Sequence, residues 1–246
     1  MRKTFATLGL ALAIGTSGCA NADPVDKAEI EEIVRAYLLE NPEILREMSI
    51  ALQDKEAERE RALTVAAIQD LDDRITGDPR DIAIGPEDAK VTLVEFFDYN
   101  CGYCKTSTEW IREVMEEHPD DVRVVFKEIP VLDRGRAEGS SRRAARAALA
   151  AAKQGKYPVM HFSLMNERAL TPERIDAIAE AAGLDMDKFK EDMTDSKLDQ
   201  HLNDNLRLAQ EIPSLSGTPF FIINDQFRSG ADIAALQQML DEELES

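Results

Sequence analysis

Residues 26–39 place Ile30, Ile33, Val34, Tyr37 and Leu38 at the i, i+3, i+4, i+7 and i+8 spacing of an amphipathic helix. Asn41-Pro42 interrupts that pattern, and a second helix is expected to open near Pro42, where a missing N–H has no intrahelical partner to lose. Ile44, Leu45, Met48, Ala51 and Leu52 would form its inward face. The stretch from Asp54 to Arg61 is almost wholly charged, after which Leu63, Ala67, Ile68, Leu71 and Ile75 resume helical spacing as far as Gly77-Asp78-Pro79. Apolar at both ends and polar in the middle, residues 23–79 form a helical segment with no core of its own. Two outcomes stay open: it docks on the downstream domain, or it associates with copies of itself as a homo-oligomer through residues 24–76.

From residue 80 the texture changes. Asp81 to Ile84 and Val91 to Phe97 read as strands with Gly85-Pro86 between them. Lys105 to Glu117 carries Trp110, Ile111, Val114 and Met115 at helical spacing, and Val122 to Lys127 reads as a further strand. This strand, helix, strand order predicts a βαβ unit with two parallel strands and a right-handed crossover. Residues 137–210 carry no strand signal and predict four or five helices, an inserted helical subdomain punctuated by Gly155 and Gly183. Beyond it, Pro219 to Ile223 and Gln226 to Ser229 predict two strands joined at Asn224-Asp225, with a closing helix from Asp232 to Glu243. The fold class is α/β, preceded by a helical extension.

The chain has 246 residues, of which 43% are hydrophobic and 31% charged, the composition of a soluble globular protein. Its formal net charge of −19, from 48 acidic against 29 basic residues, argues against nucleic acid as a partner. The first residues reverse that balance. Arg2 and Lys3, the apolar stretch Phe5 to Ile14 and then Ala20-Asn21-Ala22 follow the order of a secretory signal peptide, residues 1–22, and imply a periplasmic protein. A competing reading takes Ser17-Gly18-Cys19 as a lipobox and Cys19 as a membrane-tethering lipidation site, although Thr16 stands where a larger aliphatic residue is usual. Cleavage after Ala22 leaves only Cys101 and Cys104 in the mature chain.

Those two cysteines lie two residues apart where a strand gives way to a helix, a spacing that closes a reversible, redox-active disulfide. Helix N-termini stabilise thiolates, so Cys101 is the expected nucleophile and Cys104, one turn further in, the resolving thiol. Gly102 offers an unobstructed N–H. Tyr103 either shapes a substrate groove or is a plain surface aromatic. A zinc site needs about four ligands, and His118, His161 and His201 are too scattered to supply them, so neither a metal nor another cofactor is expected. Glu95 alternates onto the same strand face as Leu93 and Phe97. A carboxylate there has a raised pKa and could relay a proton to Cys104, unless it sits on an edge strand open to water. Gly217-Thr218-Pro219, just before an apolar strand, suits a cis peptide bond that exposes backbone to a ligand.

Val94-Glu95-Phe96-Phe97-Asp98-Tyr99-Asn100-Cys101-Gly102-Tyr103-Cys104, taken with Gly217-Thr218-Pro219-Phe220, resembles the DsbA-type branch of the thioredoxin superfamily over residues 80–246. The resemblance implies a thioredoxin-like fold with an inserted helical subdomain. It also implies Cys101 and Cys104 as catalytic thiols, Glu95 as the buried carboxylate, and a cis bond before Pro219 that faces the cysteines. Gly102, Tyr103, Thr218 and Pro219 would then meet the substrate. Gly102-Tyr103 stands where the well-known oxidases of this branch carry Pro-His, and Thr218 where they carry Val, which points away from strong oxidase character. The helical extension is similar to that of ScsC-like proteins, some of which oligomerise into isomerases. The expected function is therefore a thiol–disulfide oxidoreductase or isomerase acting on cysteine-containing exported client proteins and reset by an unidentified redox partner. Three alternatives remain: a net dithiol oxidase, a Cu(I)-binding envelope protein, and a structural protein with a fixed disulfide.

Overall fold

The computed structural model describes residues 26–246, so the expected export segment and Cys19 lie outside the described residues. The chain divides into two units, Met1–Asp54 and Lys55–Ser246. In the first, Asp26 Oδ1 accepts from Ala28 N at 3.2 Å and caps α1 (Lys27–Glu40), satisfying one of the donors a helix start leaves free. The helix ends at Asn41, whose backbone and side-chain nitrogens both donate to Tyr37 O. Pro42 then sets the entry to α2 (Glu43–Asp70). No residue of α1 is buried, and Ile33, Tyr37, Leu45 and Met48 are exposed, so this unit by itself leaves its apolar stripe uncovered.

The last turns of α2 belong to the second unit. Ile68 and, on the short α3 (Asp72–Ile75), Ile75 are buried in one core cluster with Val94, Phe96, Phe220 and Ile222. Thr64 Oγ1 lies 2.7 Å from Ser214 Oγ. The second compact unit therefore begins at Lys55, earlier than the residue-80 boundary expected from sequence, because the apolar end of the helix is part of its core.

A five-stranded sheet organises this unit: β1 (Ile82–Ile84), β2 (Val91–Phe97), β3 (Val122–Glu128), β4 (Phe220–Ile223) and β5 (Gln226–Ser229), in the order β1-β3-β2-β4-β5. β2 and β3 are parallel, joined by α4 (Gly102–Glu117), and the other pairs are antiparallel. β2 is the central strand with helices on both faces, which explains its nearly unbroken apolar run. Leu93, Phe97, Val124 and Phe126 face the larger cluster, which includes α4 and the inserted helices. Those helices are α5 (Ser140–Ala152), α6 (Tyr157–Asn166), α7 (Pro172–Ala181), α8 (Met186–Asp192) and α9 (Ser196–Glu211), close to the expected span 137–210. α10 (Ile233–Glu245) closes the fold.

Lys127 is fully buried on β3. Its Nζ donates to Asp81 Oδ2 and to the Arg74 carbonyl. Asp81 Oδ1 accepts from Asn205 Nδ2 at 3.2 Å and lies 3.1 Å from His201 Nε2, so one carboxylate ties the approach to β1 to β3 and α9. Asp81→Ala leaves the ammonium without its counter-charge and is expected to cost about 3–5 kcal/mol in urea denaturation. The double variant Asp81→Ala/Lys127→Met should recover most of that loss. A single-variant loss below about 1 kcal/mol would show that Arg74 O and solvent suffice for the ammonium.

Candidate active site

Cys101 is the N-cap of α4, with its backbone N–H donated to Asp98 O at 2.9 Å and its own carbonyl accepting from Lys105 N at 3.1 Å. Both cysteines are free thiols and both are buried, Cys104 completely. The Thr218-Pro219 bond is cis, and Cys101 Sγ lies 3.2 Å from the Thr218 carbonyl. The two motifs that are 117 residues apart in sequence thus meet at one sulfur.

A hydrogen bond from the Cys104 thiol is the largest influence on Cys101. Burial opposes it, while the Thr218 side chain and the N–H groups of Cys104 and Tyr103 reinforce it. Together they hold Cys101 at about 5, well below its ordinary 9.0. The protonated thiol can donate to the Thr218 carbonyl, but the thiolate receives more donors, and the thiolate wins. Cys104 moves the other way. Burial pushes its thiol up, and its bond to Cys101 and the nearby Glu95 charge push in the same direction. The two buried thiols are therefore driven apart, Cys101 toward the thiolate and Cys104 toward the protonated form.

Glu95 sits on β2 and is fully buried, which excludes the water-exposed edge-strand alternative. Burial raises its carboxyl to about 8, a bond from Ser107 opposes the rise, and the Cys101 charge adds to it. Ser107 Oγ donates to Glu95 Oε1 at 3.0 Å, while Oε2 has no protein partner and is free to hold the proton. Gly102 has open space where a Cβ would stand, and Tyr103 is 71% exposed, so neither is covered by the rest of the described chain. Thr218 is half-buried and Pro219 lies against the site with it. Among the described residues no group of three His, Cys, Asp or Glu side chains is arranged to hold a metal ion, and His161 and His201 are buried in helices instead.

Sequence reasoning missed Ser107 and Asp98. Ser107 follows Cys104 by three residues on the same helix face, a spacing that could have flagged it. Asp98 is buried in the turn before Cys101 and accepts from Ser141 Oγ at 2.6 Å, Asn100 N at 2.8 Å and Leu132 N at 2.9 Å. No local pattern announces those partners, because two of the three are over thirty residues away.

Residues 92–241 match the family model described as DSBA-like thioredoxin domain, and residues 26–59 match the Copper resistance protein ScsC N-terminal domain. Among solved structures, a linker-deletion mutant of Proteus mirabilis ScsC is 30% identical with a TM-score of 0.66, covering 92% of this chain and 99% of that one. The thiol-disulfide exchange protein alpha-DsbA2 from Wolbachia pipientis is 28% identical with a TM-score of 0.66, covering 75% and 97%. The chain spans about a quarter of the length of the curated relatives it matches. One of these is Na(+)/H(+) antiporter NhaA 3 from Salinispora tropica, 34% identical over 176 residues, which are 71% of this chain and 26% of that protein. Among the described residues no helix is long and apolar enough to cross a membrane.

Proposed function

The chain belongs to the DSBA-like thioredoxin family, and from that premise we propose that it is a thiol–disulfide oxidoreductase of exported proteins, working as an isomerase when self-associated. The observation that carries the reading is Cys101, a stabilised thiolate at a helix start, 3.2 Å from the Thr218 carbonyl beside a cis proline. The thiolate attacks a client disulfide, forms a mixed disulfide and releases one client thiolate. That step removes the Cys101 charge, which had been raising both Glu95 and Cys104. Glu95 then ionises more readily and Cys104 gives up its proton more readily. Cys104 can attack the Cys101 sulfur, closing the Cys101–Cys104 disulfide and leaving the client with two more electrons. If a different cysteine thiolate of the client instead attacks the client sulfur of the mixed disulfide, a new client disulfide forms, the client is isomerised and Cys101 leaves as thiolate.

The uncovered stripe of the first unit supports self-association, because Ile33, Tyr37, Leu45 and Met48 gain burial only against another surface. Several thiolates on one assembly suit clients with more than one wrong disulfide. Residues 1–22, read from the sequence, support action outside the cytoplasm. The test is Ile33→Asp/Leu45→Asp. Sedimentation should give a monomer that still reduces a small disulfide but has lost refolding of a scrambled multi-disulfide protein. A wild-type protein that sediments as a monomer, or a variant that isomerises as well as wild type, would remove the assembly from the mechanism.

The depressed Cys101 pKa favours a second reading, a net oxidase, since a stabilised thiolate makes the reduced protein the stable form. The reduction potential of the pair, measured against glutathione, separates the two directions of electron flow.

A further inference from the structure

Two segments far apart in sequence are hydrogen-bonded to the CxxC turn, and both carry exposed cations. The first follows β3. Asp98 accepts Leu132 N at 2.9 Å through Oδ2, and Asp98 O accepts Cys101 N at 2.9 Å. Covalent dimensions then put Leu132 N within about 10 Å of Cys101 N. Beyond Leu132, which is 45% exposed, the backbone turns left-handed at Arg134, φ 51°, and Arg136 Nε bonds back to Asp133 O at 3.1 Å. The second segment follows α6. Lys105, next to Cys104, donates to the Glu167 carbonyl, and the exposed Arg168 comes next.

The surrounding charges are otherwise paired. Arg142 meets Asp199, Arg143 and Arg146 meet Glu138, and Arg174 meets Glu167. Asp98 and Asp133 are buried, and Asp133 is occupied by the N–H groups of Ser141 and Arg142. Arg134, Arg136 and Arg168 have no salt-bridge partner among the described residues. Both segments tied to the CxxC turn therefore carry exposed, unpaired cations in a chain whose net charge is −19.

We propose that Arg134, Arg136 and Arg168 form a specificity site for clients whose reacting cysteine is flanked by Asp or Glu. The proposal rests on the thiol–disulfide exchange reading and adds the class of substrate to it. Repulsion from the distant acidic surface is screened beyond about 8 Å at physiological ionic strength, so the charges that act on a peptide disulfide-bonded to Cys101 are those its flanking residues approach on these two segments.

The test uses the reduced full-length protein and three cysteine peptides of equal length, each carried as a mixed disulfide with thionitrobenzoate. The residues flanking the cysteine are acidic, neutral or basic. Release of the chromophore is timed, and each rate is divided by that peptide's rate with mercaptoethanol to remove its intrinsic reactivity. At low salt the acidic peptide should react about tenfold faster than the basic one. The ratio should fall toward one in about 1 M sodium chloride, where the Debye length is about 3 Å. In Arg134→Glu/Arg136→Glu/Arg168→Glu the preference should reverse. Equal low-salt rates for the three peptides, or a ratio untouched by the triple substitution, would overturn the specificity site and leave exchange chemistry standing. No reaction with any peptide would overturn both.

Discussion

Cys101→Ser is expected to lose disulfide exchange by at least about a thousandfold, since a serine hydroxyl at the helix start stays protonated and forms no mixed disulfide. Cys104→Ser should behave oppositely: it attacks normally and then accumulates protein–client mixed disulfides, visible on a non-reducing gel. The pH profile of the wild type sharpens the assignment. With Cys101 at about 5, the thiolate outnumbers the thiol by about a hundred to one at pH 7. Alkylation of the reduced protein should therefore be flat above about pH 6 and fall tenfold per unit below 5. Between 5 and 9 the folded reduced protein holds one proton fewer at Cys101 than the unfolded one. Its stability relative to the oxidised form should rise with pH across that window and lose this contribution below pH 5. An alkylation midpoint near 8 or 9 would show that the donors around Cys101 do not act on it.

The helix start was legible as a thiolate site, but the particular donors were not: they are the Cys104 thiol, Thr218 and two backbone N–H groups. Backbone donors at a helix start carry no residue signature, and Thr218 reaches Cys101 only through the pairing of β2 with β4. Glu95 was legible because strand alternation fixed its face, and the unbroken apolar run around it is what a central strand produces. The βαβ unit and the helical insertion were legible for the same reason: their periodicities are long and local.

The N-terminal segment was harder to divide. Its charged middle, Asp54 to Arg61, is carried through by α2 as one helix, in keeping with the helical spacing that resumes after it. Ile68 and Ile75 then bury against strands whose partners lie far along the chain. Periodicity can say that a helix has an apolar face but not what covers it. The same limit hid Asp98, whose role depends on Leu132 and Ser141 arriving from the other end of β3.

Glu95→Gln is expected to separate stability from catalysis. The wild-type carboxyl titrates at about 8 when folded and at an ordinary 4.5 when unfolded. Below pH 4.5 both states are protonated and the side chain is neutral in effect. As pH rises from 4.5 to 8 the unfolded chain releases a proton that the folded chain keeps, so stability falls, and above 8 the full penalty of a buried charge is present. At pH 7 this amounts to roughly 3 kcal/mol, which glutamine avoids while its Oε1 still accepts from Ser107 Oγ. The variant should therefore be more stable than wild type at pH 7 and above, with the gap closing toward pH 4.5. Catalysis should move the other way. Without a carboxylate to accept its proton, Cys104 should resolve a mixed disulfide about a hundredfold more slowly, while the first attack by Cys101 should keep at least its wild-type rate. Stopped-flow mixing with a disulfide peptide reads the two phases separately. Equal slowing of both phases would place Glu95 in the geometry of the site and remove it from proton transfer to Cys104. A resolving phase as fast as wild type would leave it no part in that step.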